Sequence, residues 1–355
     1  GELAGLISVR DEDLKKAIDN LDALAINLID ATNEIHKDGF GLNLSTDIEF
    51  FKQNYITPYA NGDYDFNNDG TPDGTAIFRV SGTQTINLDT VIGSSGYLNF
   101  GPSYYGGNDV IIYYNSNDTV KDVIDRINKS DANVVAYINH KNQVTFKARI
   151  PLDNRFPMFV IRHIEDSGNF LVGITGLLVN SGPEGAFDYR GTNQILKFNV
   201  PSNNFSFTPE KHPSAWIDIN EKIVFNPDLI AAAGGYDYNG DGNIDKANGL
   251  ADNRNALLIA ELRHKQIMIE HQSTLQDFFK AMVGEIGTKS ETAKINFEKN
   301  QNVVQSLENL REKISGVNID EELTKMLMYQ HGYNASARLI TTIDRMIETL
   351  IRMGA

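Results

Sequence analysis

Apolar residues at both ends of the chain recur at alternating intervals of three and four, and this pattern constrains the fold more than any other feature. Near the N terminus the stripe comprises Leu14, Ile18, Leu21, Ala25, Leu28, Thr32 and Ile35. A stripe this narrow is typical of a coiled-coil helix, because it faces a partner along its whole length. We expect the helix to run from about Asp11 to Lys37, with Asp11 and Asp13 opposing the helix dipole at its start.

Three further helical segments are predicted at the C-terminal end. The first is expected over residues 253–283, and Ser315-Gly316 ends the second. The stripe of the second comprises Ala293, Phe297, Val304, Leu307, Leu310 and Ile314. The third is capped by Asn318 or Asp320, and its stripe comprises Ile319, Leu323, Met326, Gln330, Tyr333, Ala337, Ile340, Asp344, Ile347 and Ile351. Because an apolar stripe must be covered, we expect these helices to bundle with each other or with another chain.

The middle of the chain carries a different pattern, in which short apolar runs alternate with Gly, Asn, Asp and Pro. The predicted strands are Ala76–Val80, Val110–Tyr114, Val134–Ile138, Val144–Ala148, Met158–Ile161 and Ile195–Val200. A short helix with Val120, Val123, Ile124 and Ile127 on one face follows Asp118, which is a favourable N-cap. One strand before this helix and two after it make a βαββ unit.

The sequence therefore predicts a multidomain α+β protein. A helical bundle or coiled-coil stalk is formed by both ends of the chain, residues 1–45 and 252–355. A β-rich head is inserted between them, with residues 46–182 as its first part and residues 183–251 as its second. The βαββ unit lies near residues 77–150 of the first part.

Composition and motifs exclude several classes of function. The formal net charge of −15 argues against nucleic acid and against an anionic membrane surface as partners. No apolar run reaches the roughly 18 residues that a membrane-spanning helix needs. Cysteine is absent, which excludes thiolate metal sites and cysteine nucleophiles. Because nucleotide-binding loops and nucleophile motifs are also missing, we expect no enzymatic activity.

Two loops share the pattern Asp-x-Asn-x-Asp-Gly-x-x-Asp. Their candidate ligands are Asp65, Asn67, Asp69, Thr71 and Asp73 in the first loop, and Asp237, Asn239, Asp241, Asn243 and Asp245 in the second. Short oxygen-bearing side chains at alternate positions suit Ca²⁺, which takes six to eight oxygen ligands. Position 12 carries Ala76 or Asn248 rather than a bidentate Glu, so the loops resemble short calcium loops more than EF-hands. The alternative interpretation is that both are ordinary Asn/Asp-Gly turns.

Several runs near both ends resemble the family of bacterial flagellar hook-associated protein 1. Those at the N-terminal end are Ser8-Val9-Arg10-Asp11, Leu21-Asp22-Ala23-Leu24-Ala25 and Asn33-Glu34-Ile35-His36-Lys37-Asp38-Gly39-Phe40. Those at the C-terminal end are Asp252-Asn253-Arg254-Asn255-Ala256-Leu257, Val283-Gly284-Glu285-Ile286-Gly287, residues 315–322, and Tyr329-Gln330 with Tyr333-Asn334-Ala335-Ser336-Ala337. The βαββ unit resembles, more weakly, a repeat inserted in flagellins and hook proteins.

The resemblance implies a structural flagellar subunit that joins hook to filament by ring-like self-assembly through paired terminal helices. It also implies a longer N-terminal part before Gly1, hook and filament-side proteins and an export chaperone as partners, and a secreted, extracellular location in the flagellum. Whether that flagellum is external or periplasmic stays open. The alternative function is a calcium-dependent extracellular adhesin or carbohydrate-binding protein.

Overall fold

The computed structural model describes residues 1–149, 157–240, 244–268 and 273–354. The chain divides into two compact units, Gly1–Val283 and Gly284–Ala355. Helices occupy both ends of the chain, and the strands lie between them. The predicted fold class, with helical ends and a β-rich middle, is therefore confirmed.

The N-terminal helix begins earlier than predicted. It runs without a break through α1 (Glu2–Ser8), a π-helical turn (Val9–Leu14) and α2 (Lys15–Lys37). Asp11 and Asp13 therefore lie inside the helix instead of starting it, since the residues before them are themselves good helix formers. The helix ends at the predicted place, with Asp38 as its C-cap.

The strands of the first unit form antiparallel sheets. They are β1 (Asp63–Tyr64), β2 (Gly74–Thr75), β3 (Ile77–Thr85), β4 (Gly96–Phe100), β5 (Val110–Tyr114), β6 (Val134–Ile138), β7 (Gln143–Ala148), β8 (His163–Asp166), β9 (Phe187–Asp188), β10 (Phe205–Phe207), β11 (Gly235–Tyr236), β12 (Lys246–Ala247), β13 (Gln266–Met268) and β14 (Ser273–Thr274). Among the described residues, two sheets have four strands, in the orders β10-β3-β7-β6 and β5-β4-β8-β9. The remaining strands pair as the short hairpins β1-β2, β11-β12 and β13-β14.

The predicted βαββ unit is present as β5, the helix α3 (Val120–Lys129), β6 and β7. The N-cap of α3 is Thr119 rather than Asp118, because Thr119 and Asp122 form a reciprocal capping box. Asp118 instead accepts hydrogen bonds from the amide of Asn115 and the guanidinium of Arg126.

Two predicted strands are wrong. Met158–Ile161 is not a strand in the structure, although Phe159, Val160 and Ile161 are buried in the core. Ile195–Val200 is replaced by a 3-10 turn over Gln194–Lys197, which follows Asn193 in a left-handed conformation. In Met158–Ile161 the apolar run reflects burial and not strand pairing, two causes that periodicity alone does not separate. In Ile195–Val200 only Phe198 is buried, and Leu196 is 74% exposed.

The predicted continuous helix over residues 253–283 is also wrong. The chain forms α6 (Arg254–Glu261), then the hairpin β13-β14, and then α7 (Leu275–Ser315). Thr274 caps α7 by accepting a hydrogen bond from the amide of Asp277 at 3.1 Å. This Thr-x-x-Asp spacing was the sequence signal for a helix start after Thr274.

One large core fills the β-rich region. It joins residues of both four-stranded sheets to α3 and to Ile26 of α2. The core includes Leu178 and Phe187, which lie on either side of the predicted boundary at residue 182. That boundary and the other predicted domain limits stay predictions. The remaining helices of this unit are the short α4 (Pro213–Trp216) and α5 (Glu221–Phe225).

The N-terminal apolar stripe is covered only in its second half. Two smaller clusters, Ala23 with Met268 and Phe278, and Ile35 with Leu262 and Ile267, join α2 to the segments after Asn253. Towards the N terminus the stripe is uncovered in the single chain, since Leu14, Ile18 and Leu21 remain 53%, 41% and 38% exposed.

The second unit consists of the part of α7 after Val283 and of α8 (Ile319–Met353). Asn318 caps α8 as predicted, since its side chain accepts a hydrogen bond from the amide of Asp320. No described residue of α8 is buried. Among the described helices, none combines the length and the apolarity that a bilayer crossing requires.

Candidate functional site: calcium loops, helix–head joint and uncovered stripes

The first predicted calcium loop closes the hairpin β1-β2. The carboxylate of Asp65 accepts hydrogen bonds from the amides of Asp69 at 3.2 Å and Gly70 at 2.7 Å. The side chain of Asn67 accepts from the amide of Asp69 at 2.8 Å, and that of Asp69 from Thr71 at 2.9 Å. Gly70 has a φ of +91°, which a residue with a side chain rarely adopts. The loop is therefore folded around the side chains that the motif singles out.

Asp73 joins the far end of the loop to its start. Its carboxylate accepts hydrogen bonds from the amide of Phe66 at 2.8 Å and from the side chain of Asn67 at 2.7 Å. The loop thus brings the side chains of Asp65, Asn67 and Asp73 into one hydrogen-bonded turn. Yet among the described residues no group of three or more acidic or histidine side chains is arranged to hold a metal ion. Calcium binding stays a prediction.

The second loop repeats the contacts that close the first loop at its far end. Asp241 and Asn243 lie outside the described residues. Asp245 accepts a hydrogen bond from the amide of Tyr238 at 2.8 Å, just as Asp73 does from Phe66. The amides of Asp245 and Asp73 in turn donate to the carbonyls of Tyr236 and Tyr64. Asp237 accepts from the amide of Gly240 at 2.6 Å, and Asn239 lies between them.

The helix α2 meets the β-rich region, here called the head (residues 46–251), through a row of acidic residues at multiples of four. These are Asp22, Asp30, Glu34 and Asp38. Each step of four residues turns by about 40° around the helix axis, so the row winds gradually around α2 from Asp22 to Asp38. We call the contacts of this row, together with those of Asn33 and His36, the helix–head joint.

An ion triad lies at the centre of the joint. The guanidinium of Arg79 on β3 bonds both carboxylate oxygens of Asp30 at 2.9 and 3.0 Å, and one oxygen of Glu34 at 3.3 Å. The side chains of Arg79, Asp30 and Glu34 are 4%, 3% and 10% exposed. Burial by itself would raise the pKa of Glu34, but the charge of Arg79, helped by His140 and Lys141, outweighs it and lowers that pKa. Glu34 therefore stays ionised although it is desolvated.

The two ends of the row are also paired. Asp38 binds His140 at 2.8 Å and Lys141 at 3.2 Å. Asp22, which is buried, accepts hydrogen bonds from the ring of His212 at 2.9 Å and the amide of Ser214 at 3.1 Å. The head thus presents a basic or hydrogen-bonding partner to each acidic residue of the helix.

The motif Asn-x-x-His-x-x-Gly, noted above for its family resemblance, has a clear role in the joint. Asn33 exchanges two hydrogen bonds with the backbone of Phe51, at 2.8 and 3.0 Å. His36 bridges the carbonyl of Ile48 and the amide of Ala231. At Gly39 a Cβ atom would collide with the side chain of Asn255. The motif therefore holds two loops and α6 against successive turns of one helix.

A buried lysine connects the joint to the root of α7. The ammonium group of Lys147 on β7 donates hydrogen bonds to the side chain of Asn27 on α2 and to the carbonyl of Ile267 on β13. Burial lowers the pKa of Lys147 to about 8. One side chain thus ties together the helix, the head sheet and the hairpin before α7.

The apolar stripes of the second unit are uncovered in the structure. Exposed residues on α7 and α8 include Phe297, Val304, Leu307, Leu310, Ile314, Leu323, Met326, Ile340, Ile347 and Ile351. These are the positions that the heptad pattern predicts for a coiled-coil interface. Exposed apolar surface of this extent is typical of an association surface.

Three family models match separate parts of the chain. The flagellar hook-associated protein FlgK helical domain matches residues 1–51, and the flagellin hook IN motif matches residues 103–149. The C-terminal model of the flagellar basal body rod FlgEFG proteins matches residues 311–353. The matches thus cover most of the N-terminal helix and its following loop, the βαββ unit and α8.

Curated relatives carry the name flagellar hook-associated protein 1, which confirms the resemblance seen in the sequence. The protein of Salmonella typhimurium is 27% identical over 150 residues, which are 42% of this chain and 26% of the relative. The protein of Bacillus subtilis is 31% identical over 101 residues, 28% of this chain and 20% of the relative. The chain thus aligns with about a quarter of the length of the relatives.

One solved structure is also similar in part, that of the flagellar cap protein FliD D1-D2-D3 domains from Escherichia coli. It is 10% identical, with a TM-score of 0.22, over 81% of this chain and 87% of that chain. A similarity at this level carries no argument about this chain.

Proposed function

We propose that the chain is a structural subunit of the bacterial flagellum that joins hook to filament by ring-like self-assembly through its terminal helices. The observation that carries the proposal is the uncovered apolar stripe of α8, which lies in the segment matched by a flagellar C-terminal family model. The name of the curated relatives supports the same role. The function is mechanical and needs no catalysis.

The energetics of the stripes favour assembly. Burying one Leu or Ile side chain contributes about 1.5–3 kcal/mol, so a few such residues per helix offset the entropy cost of association. The proposed partners are other copies of the chain, hook and filament-side flagellar proteins, and an export chaperone. The proposed location is extracellular, in the flagellum.

Truncation after Gly316 separates assembly from folding. No described residue of α8 is buried, so removing this helix leaves the core contacts unchanged. We therefore expect the melting temperature of the shortened chain to lie within about 1–2 °C of that of the intact chain. In the bacterium that carries the gene, the same truncation should leave hooks without attached filaments. Calorimetry and electron microscopy of cells measure the two effects.

A matched control truncates only the last residues, after Met353, and should keep filaments attached. Loss of the whole fold after truncation at Gly316 would make α8 part of the domain core. Normal filaments with a loss of surface adhesion would favour the alternative, a calcium-dependent adhesin or carbohydrate-binding protein.

We also propose that the loops of residues 65–73 and 237–245 bind Ca²⁺. The repeated hydrogen bonds of Asp73 and Asp245 support this proposal, since both loops close in the same way. Loops of the extracellular type bind calcium at about 10⁻⁴–10⁻³ M. Millimolar calcium should then stabilise the fold by about 1 kcal/mol per site, by mass action.

The calcium proposal predicts a small upward melting shift with Ca²⁺, little shift with Mg²⁺, and reversal by a chelator. Replacing both Asp65 and Asp237 by Ala should abolish the shift. Asp89→Ala, at an exposed acidic residue outside both loops, should retain it. If titration calorimetry detects no heat of calcium binding at millimolar calcium, both loops are ordinary turns.

A further inference from the structure

His36 is held in its neutral form by two backbone groups. Its ring is completely buried, at 0% exposure. Nδ1 lies 2.7 Å from the carbonyl oxygen of Ile48, and Nε2 lies 2.9 Å from the amide nitrogen of Ala231. A carbonyl can only accept and an amide N–H can only donate, so Nδ1 carries the proton and Nε2 accepts.

Protonation would break one of these bonds. A second proton, on Nε2, would point at the N–H of Ala231, so that two donors would face each other. The new charge would also be buried, which is costly without a counter-ion. Burial accordingly lowers the pKa of His36, although the hydrogen bond to Ile48 partly offsets this effect.

Charged groups lie on the elements around His36, but the described ion pairs and hydrogen bonds engage them elsewhere. Lys37 on the helix pairs with Asp47 on the following loop, at 3.4 Å. Glu49 on the same loop accepts a hydrogen bond from Tyr55, and Arg254 at the start of α6 pairs with Asp252. On the segment that carries Ala231, the nearest acidic residue in sequence is Asp228.

The other paired histidines contact carboxylates and not a backbone amide. His140, His163 and His212 each lie against a carboxylate, at 2.8, 3.4 and 2.9 Å. Only at His36 does protonation set two donors against each other and so remove a hydrogen bond. Acid should therefore weaken the joint at His36 specifically.

The segment that His36 holds belongs to the second part of the head. The carbonyl of Ala231 accepts a hydrogen bond from Asn255 at 2.7 Å, and Ala233 exchanges backbone hydrogen bonds with Phe40. Two residues later the chain enters β11 and the second candidate calcium loop. We propose that protonation of His36 is an acid-operated release, which detaches Ala231 from α2, weakens the neighbouring contact of Ala233 with Phe40 and loosens the β11-β12 hairpin.

The direction of the pH dependence follows from linkage. The folded-state pKa of His36 lies below the free value of 6.5, so the locally opened form binds more protons between these two values. Opening should therefore increase as pH falls below 6.5, by at most tenfold per pH unit for one proton.

Amide hydrogen exchange of the full chain between pH 7.5 and 5.0, corrected for intrinsic rates, tests the proposal. We expect protection of Ala231 and Ala233 to fall as pH drops below 6.5, by at most tenfold per pH unit, while residues 139–141 beside His140 keep theirs. His36→Gln should remove the pH dependence, since a Gln amide can both donate to Ile48 and accept from Ala231 without titrating.

A measurement on the unaltered chain keeps the proposal testable if the variant fails to fold. Nitrogen NMR of the His36 ring should show a protonated Nδ1 and a bare Nε2 at pH 7.5. A protonated Nε2 at that pH would overturn the proposal. So would titration of His36 without any change in the exchange of Ala231.

Discussion

Replacing Arg79 by Met is expected to lower the free energy of unfolding by about 3–5 kcal/mol, the loss typical of a buried ion pair deprived of one partner. The substitution leaves the carboxylates of Asp30 and Glu34 buried beside each other without the guanidinium that bonds them both. Urea denaturation at pH 7 measures the loss. We expect part of it to be recovered at pH 4, where the two carboxylates of the variant can take up protons.

A surface ion pair provides the matched control. Lys121→Met removes a lysine from an exposed pair with Asp125, whose side chains are 56% and 45% exposed. That substitution should cost less than about 1 kcal/mol, because exposed pairs contribute little. A loss at Arg79 no larger than at Lys121 would show that the triad is not a main stabiliser of the joint.

Ile340→Asp is expected to abolish assembly and leave the isolated chain unchanged. Ile340 lies in the middle of the α8 stripe and is 68% exposed, so the substitution creates no buried charge in the monomer. In the proposed ring the same charge would be buried in an apolar interface, at a cost of several kcal/mol per subunit. Loss of attached filaments in cells, with an unaltered melting temperature of the purified chain, is the expected pair of results.

Thr342→Asp is the control for this prediction. Two residues along an α-helix correspond to about 200° of rotation, so Thr342 lies nearly opposite Ile340. We expect attached filaments with this variant. Equal effects of the two variants would mean that α8 assembles through another face or that the helix itself is disturbed.

The sequence predicts those parts of the fold that depend on local pattern. The stripes of α2, α7 and α8 follow from apolar spacing, and the βαββ unit follows from short runs around a capped helix. The hairpin β13-β14 is not predicted from the sequence, because Ile267 and Met268 fit a helical pattern as well as a strand pattern. Burial of both residues against α2 decides between the two, and burial is a tertiary property.

The helix–head joint escaped the prediction for a different reason. The acidic row was visible as Asp22, Asp30, Glu34 and Asp38 at multiples of four, yet such a row usually marks a solvated helix face. Its partners lie far away in sequence: Arg79 is 49 residues from Asp30, and His212 is 190 residues from Asp22. Only the folded head shows that this face is buried.

The spacing of the acidic row also determines how the joint responds to mechanical force. From Asp22 to Asp38 the row extends about 24 Å along the helix, at about 1.5 Å per residue. A pull along the helix axis loads the contacts of Asp22, Arg79 and Asp38 in parallel, so all must yield together. A sideways pull would instead peel them apart one after another. The joint should thus resist force most strongly in the direction of the helix axis.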